Sequence, residues 1–203
     1  SEMCIRDSSN AGQLYWFAGL VNGTLSGVPQ NTSANAVLTK DIVVNENVLK
    51  PDGTLNEGSF KEWTPIATSA SPYTGIFEGQ NHTISGLYFK QENTSEVGFF
   101  GYNGGKISNV GILNSYFCGF SRVGGVCGYN SSTITNCYNK GVVDGTADAA
   151  GSFGGVCGCN LGILTNCYNT GIVKGQSFVG GVSGDNNKTI TNCYNTCLLY
   201  TSP

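Results

Sequence analysis

The chain has 203 residues, of which 11% are charged and 30 are glycine, and its net charge is −3. Charged residues are less than half as frequent as in average globular proteins, which indicates a polar, neutral and turn-rich surface. The small negative charge gives no reason to expect the broad basic surface that binds nucleic acid or an anionic membrane. We therefore expect no nucleic acid as a partner. No apolar run is long enough to span a bilayer, so we also expect no membrane insertion of this sequence.

The sequences at both ends of the chain differ from the pattern of the residues between them. Residues 1–9, beginning SEMCIRDS, and residues 197–203, CLLYTSP, resemble translated sequencing adaptors and do not fit the pattern between them. We therefore expect both segments to be artefactual and the chain to be a fragment of a longer protein. Ordinary frayed termini are the alternative.

Residues 10–35 are predicted to form a helical cap and a loop. Asn22-Gly23 is typical of a helix end. Four apolar residues before it recur at helical spacing, namely Leu14, Phe17, Ala18 and Val21. If the later repeats stack as a solenoid, their open end must be covered, and we assign that role to this helix and its Trp16.

Residues 36–96 are predicted to form the leading coils of a β-structure. Strand composition begins at Ala36, and a turn-rich loop, PDGTLNE, follows at residues 51–57. Residues 75–89 supply a further coil. Its expected inward anchors are Ile76, Ile84 and Leu87.

Residues 97–196 contain one motif written four times. The stretch GGVCGYNSSTITNCYN at residues 124–139 returns at 154–169 and 180–195, with a looser copy at 98–110. In every copy, the asparagine that opens the second half is the eighth residue after the glycine that closes the first half. Successive copies, in contrast, lie 27, 30 and 26 residues apart. A fixed core with variable joints is typical of a solenoid, in which each unit buries its apolar side against its neighbours.

The composition of the copies, rich in Gly, Asn, Thr, Val, Ile, Cys and Tyr, favours strands over helices. Three apolar runs per copy predict three short strands per coil. Two inward rows are expected three residues apart, which strand alternation permits only if a bend lies between them. The first row is Ile107, Ile134, Leu164 and Ile190, and the second is Val110, Cys137, Cys167 and Cys193.

The bend is assigned to an asparagine that each copy carries between the two rows. Asparagine tolerates the left-handed conformation of a sharp corner, and amides stacked about 4.8 Å apart can hydrogen-bond from coil to coil. The predicted ladder is Asn109, Asn136, Asn166 and Asn192. A second turn ladder is predicted at Asn103, Asn130, Asn160 and Asn186.

The pattern GGV-C/S-G-x-N followed by T-N-C-Y-N resembles the GLUG repeat of bacterial secreted and surface proteins. Residues 73–89, YTGIFEGQNHTISGLYF, are similar to the coil that leads into such repeats. The resemblance extends over residues 10–196 and implies a right-handed parallel β-helix, here of about five coils. It also implies a large modular protein, and some such proteins are peptidases that carry the repeat outside their catalytic part. The resemblance is specific for fold and weak for activity.

Nine cysteines suggest disulfides, but their placement in rows argues against them. Side chains of one row point the same way, so their Cβ atoms stay near the strand spacing of about 4.8 Å, longer than a disulfide requires. We expect Cys127 and Cys157, like the cysteines of the inward row, to be small buried hydrophobes. Because Cys157 and Cys159 have no second pair to complete a zinc site, no metal or cofactor is predicted.

Catalysis is the less favoured interpretation. His82 is the single histidine and lies in a turn, so a metal-peptidase helix with two histidines is impossible. Polysaccharide-cleaving β-helix enzymes gather carboxylates on one exposed face. The candidate acids here share no row, and they are Glu78, Glu92, Glu96, Asp144, Asp148 and Asp185. Such an enzyme remains an alternative.

The best candidate for binding is the row Tyr138, Tyr168 and Tyr194. Each follows an inward cysteine, so alternation turns it outward and stacks the rings. Sugars dock on such platforms, although a purely structural stack is the competing interpretation. We therefore predict a non-catalytic stalk or adhesion scaffold of a bacterial surface or secreted protein, with a glycan-binding face as the alternative. The expected partners are host or cell-wall glycans, surface proteins and other domains of a longer chain.

Overall fold

The computed structural model describes residues 8–146, 150–197 and 199–201. Within them, 23 strands pair in parallel and form four sheets, which the chain visits in the same order in each coil. This arrangement confirms the predicted all-β parallel solenoid with one short helix. The right-handed sense of the coil and the total of about five coils stay predictions.

We name the sheets A to D in the order in which one coil passes through them. Sheet A contains Ser95–Val97, Ser121–Gly124, Phe153–Gly154 and Val179–Gly180. Sheet B contains Phe100–Asn103, Cys127–Asn130, Cys157–Asn160 and Ser183–Asn186. Sheet C contains Ala36–Val37, Ile76–Glu78, Lys106–Ser108, Thr133–Thr135, Ile163–Thr165 and Thr189–Thr191. Sheet D contains Ile42–Val43, Thr83–Ser85, Tyr88–Lys90, Gly111–Gly119, Tyr138–Gly145, Tyr168–Asn169, Ile172–Gly175, Tyr194–Asn195 and Leu199–Thr201.

A complete coil has four sides, one for each sheet, so the prediction of three strands per coil is wrong. The additional bend separates sheet A from sheet B. Val123, Val126 and Cys127 are all buried there, which one strand with alternating sides cannot achieve. The bend also requires a glycine, because a Cβ on Gly125 would collide with the side chain of Asn139. Since sheets A and B hold four strands each, four coils are complete.

The two predicted inward rows are confirmed. Ile107, Ile134 and Leu164 pair in register and are fully buried, whereas Ile190 in the last described coil is 37% exposed. The second row is also inward, with Val110, Cys137 and Cys167 buried and Cys193 half-buried. Each coil therefore contributes two side chains of this corner to one continuous core.

The leading coils are less regular. Ile66 and Tyr73 pair with the next coil through single parallel bridges to Phe100 and Asn103 rather than through strands. Ile84 and Leu87 are buried as expected. The prediction for Ile76 is wrong, because its side chain points outward. Its neighbour Phe77 is buried instead and pairs with Ile107 of the first inward row.

The predicted helix is Ala11–Asn22. The Asn10 side chain caps its first turn by accepting a hydrogen bond from the Gln13 amide at 3.0 Å, and Gly23 ends it in the left-handed conformation. Phe17 packs on Tyr73 and Phe77 of the leading coils, with ring centroids 6.1 and 5.9 Å away. The helix thus covers the core at this end. Trp16 takes little part, since it is 45% exposed.

A hairpin at residues 48–56 lies on the outer face of sheet D. It is closed by a hydrogen bond from the Asn56 amide to the Val48 carbonyl at 2.8 Å. The Leu49 amide donates to Asn114 Oδ1 at 2.9 Å, which fixes the hairpin to the sheet. A second apolar cluster lies beneath it, with Val48, Tyr116, Cys118 and Val142 buried and Leu49, Leu55, Phe60, Tyr88 and Ile172 packed around them.

Of the two end segments predicted to be artefactual, residues 1–7, 198, 202 and 203 lie outside the described residues. Leu199–Thr201 pairs with Ile172–Gly175 in sheet D. No helix in the described part of the chain is long and apolar enough to cross a membrane.

Candidate functional site

The three tyrosines of the predicted row, called here the tyrosine platform, stack along the outer face of sheet D. Tyr138 and Tyr168 have ring centroids 4.7 Å apart and planes 4° apart, and Tyr168 and Tyr194 follow at 5.1 Å and 5°. Tyr138 and Tyr168 are half-buried, whereas Tyr194 is 54% exposed. Because the strands are in register, the rings form one continuous aromatic strip.

Gly111 ends the strip on the side of the leading coils. It pairs with Tyr138 in the sheet, and a Cβ at this position would collide with the Tyr138 ring, so the ring lies over the glycine backbone. Beyond it, Thr83 pairs with Gly111, and its amide donates to Asp41 Oδ1 at 2.8 Å. Partial burial and then the Asp41 carboxylate raise the pKa of Tyr138. The phenol is therefore neutral over the physiological pH range, with a carboxylate at one end of the strip.

Lys140 lies on the same outer face as Tyr138, two residues later in the strand. Its Nζ is 5.5 Å from the centroid of the Tyr138 ring, within the range of a cation–π contact. Thr170 holds the corresponding place after Tyr168. The platform is thus bordered by a cation and a hydroxyl group.

A cavity of about 620 Å³ lies beside the platform, between the hairpin and sheet D. Val142 and Ile172 form part of its floor, and the hairpin tip forms a wall because Gly53, with φ +81°, rests against Ile172. The polar residues that line it are Asn47, Lys50, Asp52, Asn56, Asn114, Lys140 and Thr170. Since Lys140 and Thr170 belong to both features, platform and cavity form one continuous surface.

The predicted corner ladder, called here the exposed ladder, is confirmed. Its four asparagines have φ between 53 and 56°, the left-handed conformation that the corner requires. Asn136 donates to Asn109 at 2.8 Å, Asn166 to Asn136 at 3.1 Å and Asn192 to Asn166 at 3.3 Å. The ladder ends on Glu78, to which the Asn109 amide donates.

The second predicted ladder, in sheet B, is buried at Asn103, Asn130 and Asn160, whereas Asn186 in the last described coil is exposed. Its side chains donate in the opposite direction along the solenoid, at 2.8 Å from Asn103 to Asn130, 2.8 Å from Asn130 to Asn160 and 2.7 Å from Asn160 to Asn186. Each Oδ1 of the first three also accepts from the backbone amide two residues later. These bonds satisfy polar groups that would otherwise be costly inside the core.

A third ladder, in sheet D, was missed by sequence reasoning. Asn139 donates to Asn169 at 3.0 Å, and Asn169 donates to Asn195 at 2.8 Å. Asn139 and Asn169 are fully buried. The available signal was the alternation of the strand, since the residue after an outward tyrosine must point inward.

Eight cysteines lie in the described part of the chain, and all carry free thiols; Cys4 lies outside it. Cys127 and Cys157 pair in register and are fully buried. Burial raises the pKa of Cys137 to about 12, so this thiol stays protonated. Among the described residues, no three His, Cys, Asp or Glu side chains gather as a metal site.

The candidate catalytic acids are engaged separately. Glu78 ends the exposed ladder, Glu96 pairs with Arg122 at 3.0 Å, and Asp144 accepts from the Tyr116 hydroxyl at 2.8 Å. Asp185 accepts from its near neighbour Asn187 at 3.1 Å, while Asp148 lies outside the described residues. Glu92 is exposed, and burial, Asp144 and then Glu92 raise the pKa of the Cys118 thiol. Glu78, Glu96, Asp144 and Asp185 thus bond to different groups.

His82 contacts a carboxylate rather than a nucleophile. Its Nδ1 lies 3.3 Å from Asp41 Oδ1, and the same oxygen accepts the Thr83 amide. The hydrogen bond from that amide is the largest cause of the lowered pKa of Asp41. His82 therefore lies in a turn that is bonded to the preceding coil, as expected from the sequence.

A second aromatic pair occupies the outer face of sheet B. Tyr102 and Tyr129 stack with centroids 4.6 Å apart, and the Arg122 guanidinium lies 5.1 Å from the Tyr129 centroid. The row continues with Cys159 and Asp185, so no aromatic strip extends beyond two rings. Comparing the copies did not reveal it, because the residue type changes between them.

Comparison with known proteins supports the repeat and the fold. Residues 121–144 match the family model described as the GLUG motif. The chain is 32% identical to Halomucin of Haloquadratum walsbyi over 119 residues, which is 56% of this chain and 1% of Halomucin. The chain thus spans a very small part of that relative.

A solved structure shares the fold. A crystal structure of a candidate immunoglobulin A1 protease from Bacteroides ovatus superposes with a TM-score of 0.58 and 18% sequence identity. The match covers 94% of this chain and 76% of the other. At this identity the likeness is one of architecture.

Proposed function

We propose that this chain is a rigid, non-catalytic repeat module of a surface or secreted protein, serving as a stalk or adhesion scaffold. The observation that carries the proposal is the continuity of the three ladders across coils joined by one core. Asparagine side chains of the ladders bond to an adjacent coil, so that a bend between coils would break buried hydrogen bonds. A body of this kind keeps its two ends at a fixed distance.

The proposal of a non-catalytic role is supported by the separate engagement of the acids. A polysaccharide-cleaving site requires at least two carboxylates that face one substrate, and a nucleophilic site requires an activated nucleophile. Among the described residues, Glu78, Glu96 and Asp144 are each bonded to a different structural partner.

Rigidity and lack of activity can be tested on one preparation. Small-angle scattering should give a single elongated particle whose maximum dimension is unchanged between low and high salt. Incubation with immunoglobulin A1 and with a panel of acidic and neutral polysaccharides should leave every substrate intact by mass spectrometry. Cleavage of any substrate would contradict the proposal that the module is non-catalytic. A maximum dimension that changes with salt would contradict the proposal that it is rigid.

The second candidate function is carbohydrate binding on the tyrosine platform. It is favoured by three nearly parallel rings that share one partly exposed strip, bordered by Lys140 and Thr170. Since the stacked rings cover one another's faces, apolar faces of sugar rings would pack along the exposed ring edges and on Tyr194, which is 54% exposed, while hydroxyl groups bond to the polar border. Glycans of a host or of a cell wall are the corresponding partners.

The platform proposal is tested by a glycan array on the wild-type chain and on a variant with Tyr138, Tyr168 and Tyr194 changed to Ala. The matched control changes Tyr102 and Tyr129, the stacked pair of sheet B, to Ala. Binding should disappear in the first variant and persist in the control, with both folded by circular dichroism. Equal binding by all three proteins would exclude the platform as the binding site.

A further inference from the structure

The cavity beside the platform has the size and lining of a ligand site. Its volume of about 620 Å³ falls inside the range of about 300–1,000 Å³ that is usual for small-molecule pockets. It is walled by a hairpin held in place by Val48, which is fully buried, and by the bond from the Leu49 amide to Asn114. The walls are therefore fixed before any ligand arrives.

The charge of the lining is positive, although the whole chain carries −3. Lys50 and Lys140 contribute two ammonium groups, and Asp52 contributes one carboxylate. Asp52 Oδ1 already accepts from the Thr54 amide at 2.9 Å and from the Thr54 hydroxyl at 2.6 Å. In the described part of the chain, neither lysine has a carboxylate within salt-bridge distance. The hydrogen bonds from Thr54 and then the attraction of Lys50 lower the pKa of the Asp52 carboxyl, but Lys50 forms no salt bridge with it, so both ammonium groups can contact an anion.

The lining also contains amide groups that are free to donate. Asn114 uses its Oδ1 for the Leu49 amide, and its Nδ2 donates to no other group among the described residues. The Asn47 side chain likewise has no hydrogen-bond partner there, and Thr170 offers a hydroxyl. Amide and hydroxyl donors beside two cations suit a ligand that carries both hydroxyl groups and a carboxylate.

The position of Lys140 connects the cavity with the platform. Tyr138 and Lys140 point to the same side of one strand and lie about 7 Å apart along it, and the Lys140 ammonium is 5.5 Å from the Tyr138 ring. We propose that the cavity binds the carboxylate-bearing sugar of an acidic glycan, held by Lys50 and Lys140, while the neighbouring sugar packs along the exposed edge of the Tyr138 ring. This inference rests on the proposed carbohydrate binding and specifies its ligand class.

The experiment uses pairs of ligands that differ in the carboxylate alone. Calorimetric titration of the full chain compares trigalacturonic acid with its methyl ester, and 3′-sialyllactose with its methyl ester, so that the two arms distinguish a uronic acid from a sialic acid. At least one acidic ligand should bind more tightly than its neutral counterpart, with a preference that weakens as salt is raised. Lys50→Gln combined with Lys140→Gln should lower the acidic affinity roughly tenfold and the neutral affinity much less, because glutamine keeps a hydrogen-bond donor at both positions and removes only the charge.

Lys106→Gln is the matched control, because Lys106 is exposed on sheet C, away from the cavity. Equal affinity for acidic and neutral ligands would contradict the proposed carboxylate site, while still supporting carbohydrate binding on the tyrosine platform. A preference for acid that survives the double lysine change would also overturn it. Failure of every ligand to bind a folded wild-type chain would overturn the platform proposal and this one together.

Discussion

The Asn109 side chain donates to both carboxylate oxygens of Glu78, at 2.8 and 3.0 Å. Every other rung of the exposed ladder donates to an amide oxygen, whereas this rung donates to an ionised group. Glu78 also accepts from the Gln80 amide at 2.7 Å and from the Ser108 hydroxyl at 2.9 Å. One carboxylate therefore ends the ladder and fixes the turn that follows Phe77.

The stability of the chain should depend on the ionisation of Glu78. Partial burial acts to raise its pKa, but the hydrogen bonds from Asn109, Gln80 and Ser108 outweigh this effect, so the pKa is lowered. A carboxyl with a lowered folded pKa stabilises the fold above its unfolded pKa of about 4.3, and this contribution is lost as the pH falls through the folded value.

Glu78→Gln should consequently reduce the free energy of unfolding by about 1 kcal/mol at pH 7. The difference from wild type should be smaller at pH 3 than at pH 7, because the contribution of the wild-type carboxylate falls as this group becomes protonated. Urea unfolding of both proteins at the two pH values measures this change. A difference that stays the same at pH 3 would show that ionisation of Glu78 has no part in stability.

A charge placed in the inward row should unfold the array. Cys167→Asp buries an unpaired carboxylate at a fully buried position and should cost more than about 4 kcal/mol. Lys140→Ser, on the exposed face of sheet D, should cost less than about 1 kcal/mol. Thermal melting followed by circular dichroism compares the two variants. Equal decreases in melting temperature would mean that the inward position of Cys167 or the outward position of Lys140 is wrongly assigned.

The buried and exposed ladders should respond differently to the same chemical change. Asn169→Asp removes a donor and buries a charge next to Asn195 Oδ1 and the Gly171 carbonyl, at an expected cost of more than about 3 kcal/mol. Asn166→Asp removes the same atom on the exposed ladder and should cost about 1 kcal/mol. Urea unfolding midpoints at pH 7 compare the two variants. A larger loss of stability for Asn166→Asp than for Asn169→Asp would contradict the assignment of Asn169 to a buried ladder and Asn166 to an exposed one.

Gly111 should be required by the tyrosine platform rather than by the backbone. Gly111→Ala places a methyl group where the Tyr138 ring lies, and should cost about 1–3 kcal/mol in the wild-type background. In a chain that already carries Tyr138→Ala, the same change should cost much less. A double-mutant cycle measures this coupling, and additive effects would show that the ring does not depend on the glycine.

Much of the fold could be predicted because each repeated position has one structural role. Ile107, Ile134 and Leu164 share an environment, so comparing copies of the motif identifies the inward row without any structure. The corner asparagines were recognised for the same reason, since a left-handed residue between two inward positions has few alternatives. The bend at Gly125 was not predicted, because adjacent glycine and valine residues favour turn and strand respectively and so do not indicate where a strand ends.

The cavity could not be predicted, because it joins segments that no repeat relates. Lys50 belongs to a hairpin of the leading coils, whereas Lys140 and Thr170 lie in later coils of sheet D. Nothing in the local sequence of the hairpin indicates that its tip rests on Ile172. The platform was predictable from strand alternation, while the surface beside it depends on long-range packing.

The three ladders also determine how an array of this kind can change in length. Within each ladder, a complete coil offers an amide donor to one neighbour and an amide oxygen to the other, at the same place on its two faces. Duplication or deletion of a whole coil therefore restores every ladder across the new junction, whereas loss of part of a coil leaves buried amides without partners. Genetic expansion and contraction by entire units, with joints free to vary, is the evolutionary behaviour that this hydrogen bonding permits.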